Sequence, residues 1–206
     1  MLNKETTNNY CEISGSVTGD ISLSHEVYGE KFSTFSLKSE RLSGISDTIN
    51  IIFSENCPGC GINSGDRVFV RGQFRSYNNY SGIGNRLILS VFAKEINLCG
   101  EEYENDVNVI MLNGYLCKPP VYRTTPFGRE ITDILLAVNR MHNKSDYIPC
   151  IIWGKSAREA SLFSVGDRIT VFGRIQSREY RKKLENGETA LKTAFEVSVN
   201  KMEKDV

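Results

Sequence analysis

Three blocks of this chain occur twice, in the same order. Residues 64–76 and 165–177 share Gly65-Asp66-Arg67 with Gly166-Asp167-Arg168, Gly72 with Gly173 and Ser76 with Ser177, at an offset of 101. Upstream, Ile13-Ser14-Gly15-Ser16-Val17 runs against Leu112-Asn113-Gly114-Tyr115-Leu116 at an offset of 99. Tyr28-Gly29 with Phe127-Gly128, and Phe35, Leu37 and Arg41 with Ile134, Leu136 and Arg140, keep that offset. A unit of about 95 residues is far longer than the roughly 20–50 residues of a solenoid repeat, so the feature is a tandem duplication of a whole domain. A chain of 206 residues has room for two such units.

Each unit reads as β-structure. Ile169, Val171, Gly173 and Ile175 alternate with Arg168, Thr170, Phe172 and Arg174, and Val68, Val70, Gly72 and Phe74 alternate with Arg67, Phe69, Arg71 and Gln73. That is the period of a strand with one apolar face. A mid-strand glycine at the same place twice suggests a bulge or a barrel corner. Tyr28-Gly29, Phe127-Gly128 and the Asn186-Gly187 pair mark hairpin turns. One stretch reads helically, 155–163; its counterpart, 55–63, carries Pro58, Gly59 and Gly61, which oppose a helix there. Strands, one helix and two further strands fit a five-stranded Greek-key barrel, with other small β-barrels left open by pattern alone.

Charge sharpens the division. Lys plus Arg and Asp plus Glu number 25 each, so the chain is formally neutral. Residues 1–100 carry 9 basic and 10 acidic groups, 107–204 carry 16 and 10, and 101–106 carry four acids and no base. The expected organisation is a first domain 1–100, an acidic linker 101–106 and a net-positive second domain 107–206, with the barrels spanning 8–98 and 107–204. Hydrophobic residues at 40% and charged residues at 24% exclude a disordered or collagen-like chain. Nothing approaches the ~18 apolar residues of a membrane span, and residues 1–7 lack a signal-peptide stretch, so no membrane partner is expected.

The second unit resembles the bacterial single-stranded DNA-binding protein family. The carrying residues are Val109-Ile110-Met111-Leu112-Asn113-Gly114-Tyr115-Leu116, Leu135-Leu136-Ala137-Val138-Asn139-Arg140 and Asp146-Tyr147-Ile148-Pro149-Cys150-Ile151-Ile152-Trp153-Gly154-Lys155. Val165-Gly166-Asp167-Arg168 and Gly173-Arg174-Ile175-Gln176-Ser177-Arg178-Glu179-Tyr180 follow in order. The first unit resembles a diverged copy. The resemblance implies an all-β fold of two tandem five-stranded oligonucleotide-binding (OB) Greek-key barrels, with a short helix in the second only. It implies binding and protection of single-stranded DNA with little sequence preference, in replication, recombination or repair. It also implies a cytoplasmic, nucleoid-associated homodimer presenting four barrels.

Sequence-tolerant strand binding needs planar groups on which bases stack and cations that follow the phosphates. By the resemblance, Tyr147, Trp153 and Tyr180 match stacking positions, with Phe53 in the place of Trp153 in the first unit. Arg174, Arg178, Arg181, Lys182 and Lys183 cluster in the last hairpin, and Arg140 and Lys155 match strand-end positions bordering the groove. Arg71, Arg75 and Arg86 are the late cations of the first unit, with Tyr77 and Tyr80 nearby; its main task is expected to be dimerisation or spacing. The family's acidic, aromatic-tipped recruitment tail is not evident in this sequence. A protein–protein assembly module of the primosome accessory type and an RNA-binding OB protein are the rival readings.

Catalysis has little to rest on. His25 and His142 are the two histidines, neither in a nucleophile arrangement. Residues 81–85 lack the lysine and helix of a phosphate loop. Cys57-Pro58-Gly59-Cys60 has the spacing of half a zinc site, but no second pair completes it, and a Pro-Gly turn with bystander thiols is the expected reading. Cys117 and Cys150 are expected in the core. No metal, no cofactor and no enzymatic activity are expected.

Overall fold

In the computed structural model the described residues are 8–79, 87–100, 105–183 and 189–205, without the side chains of 182, 183 and 190. The Asn-Gly turn at 186–187, Tyr80, Arg86 and most of the acidic 101–106 stretch lie outside them. The first unit contributes β1 (Asn9–Val27), β2 (Glu30–Glu40), β3 (Ser46–Ser54), β4 (Arg67–Asn78) and β5 (Leu87–Leu98). The second contributes β6 (Asn108–Leu116), β7 (Val121–Thr124), β8 (Glu130–Arg140), β9 (Lys144–Trp153), the helix α1 (Gly154–Ala160), β10 (Arg168–Lys183) and β11 (Thr189–Lys204). Among the described residues no helix is long and apolar enough to cross a membrane.

The pairings close two five-stranded barrels. In the first, β1 pairs β2 and β4, β2 pairs β3, β4 pairs β5, and β3 meets β5 in parallel. In the second, β6 pairs β8 and β10, β8 pairs β9, β10 pairs β11, and β9 meets β11 in parallel. The period-2 pattern explains what fills them. Val68, Val70 and Phe74 line the first barrel and Ile169, Val171 and Ile175 the second, each 1% exposed or less. Burying each such side chain is worth about 1.5–3 kcal/mol. The short β7, all of whose residues are exposed, is an extra strand hairpinned onto β8 that no alternation announced.

Each repeated mid-strand glycine stands opposite a bulge, whose extra residue is Lys94 on β5 or Asn200 on β11. Register shifts fall between Arg71 and Gly72 on β4 and between Phe172 and Gly173 on β10. A Cβ on Gly173 would stand 2.2 Å from the Ser198 carbonyl oxygen, so only glycine lets the neighbouring strand approach there. The helix forms where expected: Gly154, at φ 61°, turns the chain out of β9, and Ala157 and Ala160 press into the barrel. Thr132 Oγ1 donates to the Ala157 carbonyl at 2.7 Å. In the first unit 55–65 is a chain of turns in which Cys57 and Ile62 supply the apolar plug and Pro58 O accepts from Ile96 N at 3.0 Å.

The two barrels share one sheet. Strands β1 and β6 run antiparallel, with Asn9 opposite Leu112, Cys11 opposite Ile110 and Ile13 opposite Asn108. Ser14 N donates to Val107 O and Asn113 N to Asn8 O, both at 2.8 Å. The acidic connector is anchored at its end: Asp106 accepts from Arg67 at 2.6 Å and from Glu40 N at 2.7 Å.

Candidate nucleic-acid interface

Strand β9 sorts its side chains by alternation. Asp146, Ile148, Cys150 and Ile152 are buried on one face; Tyr147, Pro149, Ile151 and Trp153 share the other, where Ile151 is buried as well. Tyr147 is 45% exposed. Trp153 is half-buried; its Nε1 donates to Ser198 Oγ at 3.1 Å, and its ring borders a cleft of about 460 Å³ with Gly128, Arg129, Glu130 and Gly154. Rising about 3.3 Å per residue, the strand sets the two aromatics about 20 Å apart on one surface.

The last hairpin divides the cations grouped there by sequence. Arg174, Arg178 and Tyr180 alternate onto one face of β10, and Arg181 onto the other. The Arg178 guanidinium lies 5.9 Å from the Tyr180 ring centroid and its Nε is 3.1 Å from Glu196. Arg174 and Arg181 are exposed. Lys182 and Lys183 lie on β10 opposite Ala190 and Thr189, but their side chains are outside the described residues. Arg140 ends β8 with its Nε 3.2 Å from Asp146, and Lys155 is exposed on the first turn of α1.

In the first unit the structure corrects one expectation. Ile51 pairs Val91 in parallel as Cys150 pairs Val197, so Phe53 is the counterpart of Ile152 and Ser54 the counterpart of Trp153. A one-residue difference in register turns a strand side chain to the opposite face. Phe53 accordingly lies in the core, 4% exposed and edge-on to Phe35 at 5.8 Å, and presents no face to a base. Arg71 sits between two carboxylates, Glu12 at 3.1 Å and Glu95 at 3.0 Å. Arg75 lies 3.8 Å over the Phe92 ring, an aromatic that sequence reasoning did not single out. Its partner is set by strand pairing, not by any local motif.

Counterpart aspartates bind the barrels together at the two ends of the seam. Asp47 Oδ1 accepts from Ser177 N at 2.6 Å and Ser177 Oγ at 2.8 Å, while Arg41 grips both carboxylate oxygens at 2.6 and 2.7 Å. Burial pushes the Asp47 carboxyl up, but Arg41 and the Ser177 donors outweigh it and hold it below the usual range. Asp146 Oδ1 accepts from Ser76 N at 2.7 Å, and Ser76 Oγ accepts from Tyr147 N at 2.7 Å. Burial dominates at Asp146 and holds it above the usual range, against Ser76, Arg140 and Arg75. Among the described residues no group of three or more His, Cys, Asp or Glu side chains could hold a metal. Cys11 is pushed up to about 12 by complete burial; Cys150 is buried, while Cys117, past the end of β6, is only half-buried, its thiol donating to Leu135 O at 3.2 Å.

The profile of the single-strand binding protein family matches residues 107–204. The "Single-stranded DNA-binding protein B" of Bacillus subtilis is 36% identical over 83 residues, 37% of this chain and 74% of that protein. The chain belongs to the single-strand binding protein family. The "Single-stranded DNA-binding protein" of Clostridium tetani is 39% identical over 84 residues, 37% of this chain and 58% of that protein. The chain thus spans between about half and three-quarters of the length of such family members. The wild-type single-stranded DNA-binding protein of Thermus aquaticus has the same fold across both barrels. Its crystal structure superposes with a TM-score of 0.75 at 19% identity, covering 96% of this chain and 93% of that one.

Proposed function

We propose that this chain binds and protects single-stranded DNA with little sequence preference, in replication, recombination or repair, and performs no catalysis. The observation that carries the reading is the outer face of β9, where Tyr147 and Trp153 stand exposed or half-buried with Arg178 and Tyr180 on the same barrel. Base stacking on such rings is worth roughly 1–3 kcal/mol per base and is indifferent to sequence, because every base has a π-face. Relatives named as single-stranded DNA-binding proteins support it.

The second barrel, within 107–206, is the main binding body, with Tyr147, Trp153 and Tyr180 as stacking groups and Arg140, Lys155, Arg174, Arg178, Arg181, Lys182 and Lys183 as phosphate partners. The first, within 1–100, contributes through Arg75. Two such chains form a cytoplasmic homodimer that presents four barrels. The test is fluorescence anisotropy with labelled oligo-dT, oligo-rU and duplex DNA of one length. Tightest binding to oligo-dT is expected. A preference for RNA of about 8-fold or more, roughly 1.2 kcal/mol, would make this an RNA-binding protein. Equal weakness toward all three would leave a protein–protein module.

A further inference from the structure

The duplication gives nearly every residue at the seam a counterpart, and many of these are matched: Asp47 with Asp146, Ser76 with Ser177, Arg41 with Arg140, Arg67 with Arg168. The charges at the two ends of the seam are not matched. At one end a cleft of about 900 Å³ between the barrels is bordered by Arg75, Lys94, Arg140, Lys144 and Arg168. Asp146 and Asp205 stand 3.2 Å from Arg140 and Arg168; Arg75, Lys94 and Lys144 have no ion pair among the described residues.

At the other end the pairings put Gln176 in place of Arg75, Asn200 in place of Lys94 and Ile45 in place of Lys144. Glu196 replaces Ser90, and Glu40 replaces Asn139. The cations there are Arg41 and Arg67, each held by an aspartate at 2.6 Å, Arg178, 3.1 Å from Glu196, and Arg174 in place of Gln73. Acids therefore offset cations at that end, while cations prevail at the first.

The cationic end is also built for an anion. The Nε of Arg75 is buried there without a hydrogen bond, and the buried Nε of Arg140 has only the Asp146 carboxylate, 3.2 Å away, beside it. Burial and the like charge of Arg140 weaken the hold of Arg75 on its proton more than the Asp146 carboxylate restores it, a residual cost that a further anion beside the two guanidinium groups reduces. The cleft continues into a second of about 470 Å³, which shares Arg75 and Arg140 and is bordered by Phe92, Tyr77 and His25 on the first barrel. A cationic crossing that opens onto aromatic rings has the composition of a single-strand path.

From this asymmetry we infer that the Arg75, Lys94, Arg140 and Lys144 end of the seam is a phosphate-binding saddle. Over it a single strand crosses from the second barrel to the first. The inference rests on the strand-binding reading above and adds the route.

The test is Lys94→Asn with Lys144→Gln, both exposed side chains, so the melting temperature should hold. Affinity is measured against salt for a short oligo-dT that one barrel accommodates and for one long enough to reach both, with roughly 4–16 nucleotides per barrel. The long oligomer should lose about 1.4 units of salt slope, roughly 0.7 per phosphate contact, and the short one none. An unchanged slope for the long oligomer overturns the saddle, and equal losses at both lengths overturn the crossing. Failure of the unaltered protein to bind either oligomer overturns strand binding itself, and the saddle with it.

Discussion

Cys11 and Ile110 face each other across the β1–β6 pairing, and each is the other's counterpart in the duplication. The pseudo-twofold axis therefore passes between them. A duplicated barrel with an exposed edge risks pairing with foreign strands. Here the two copies of the edge satisfy each other, and the eleven strands form one continuous sheet.

The two clamps related by that axis should answer oppositely to acid. The Asp47 carboxyl is depressed in the folded state, so its stabilisation is present above the ordinary carboxylate range and is lost as pH falls through the folded value. The Asp146 carboxyl is raised, so its contribution is fullest below the ordinary value and fades as pH rises through the folded one. At pH 7, Asp47→Asn should cost about 1.5–3 kcal/mol, the worth of a charged hydrogen bond, and Asp146→Asn less. Urea denaturation across pH 3–8 checks this; equal costs at neutral pH would contradict it.

Gly173→Ala should destabilise the fold by about 1–3 kcal/mol through overpacking, because the new methyl meets a backbone carbonyl that the bulge fixes in place. Gly100→Ala has open space and should be near neutral. Thermal unfolding of the pair separates a steric requirement from a general cost of losing glycine.

Trp153→Ala should weaken oligo-dT binding by roughly 1–3 kcal/mol and leave the salt slope alone, since stacking neutralises no phosphate. Isothermal titration at two salt concentrations measures both quantities. Unchanged affinity with a collapsed melting temperature would make Trp153 a packing residue instead.

Arg174→Ala with Arg178→Ala should flatten the salt slope by about 1.4 units. An unchanged slope would take that face of β10 out of the site.

Much of this architecture was legible because barrels are written in local pattern. Ile169, Val171 and Ile175 announced a buried face, and the repeated Gly72 and Gly173 announced the bulges that the strand registers contain. The 155–163 stretch announced α1, which its Ala157 and Ala160 dock into the barrel. Phe53 was misplaced because one residue of register, invisible without the parallel β3–β5 pairing, decides which face it takes. Arg75, Lys94 and Lys144 lie on three strands of two barrels, and only the β1–β6 seam brings them to one cleft. The hydrogen bonds from Ser177 to Asp47 likewise span 130 residues, a distance over which no sequence pattern operates.

On the proposed reading, the outer face of β9 receives single-stranded DNA. Trp153 is the chain's one tryptophan, so its emission reports on that face directly. Titration with an oligo-dT long enough to reach both barrels, at low and moderate salt, should quench Trp153 to a defined nucleotide-to-protein ratio, with weaker binding at the higher salt. Emission that stays unchanged while anisotropy shows the oligomer bound would overturn that reading and put the strand elsewhere on the molecule.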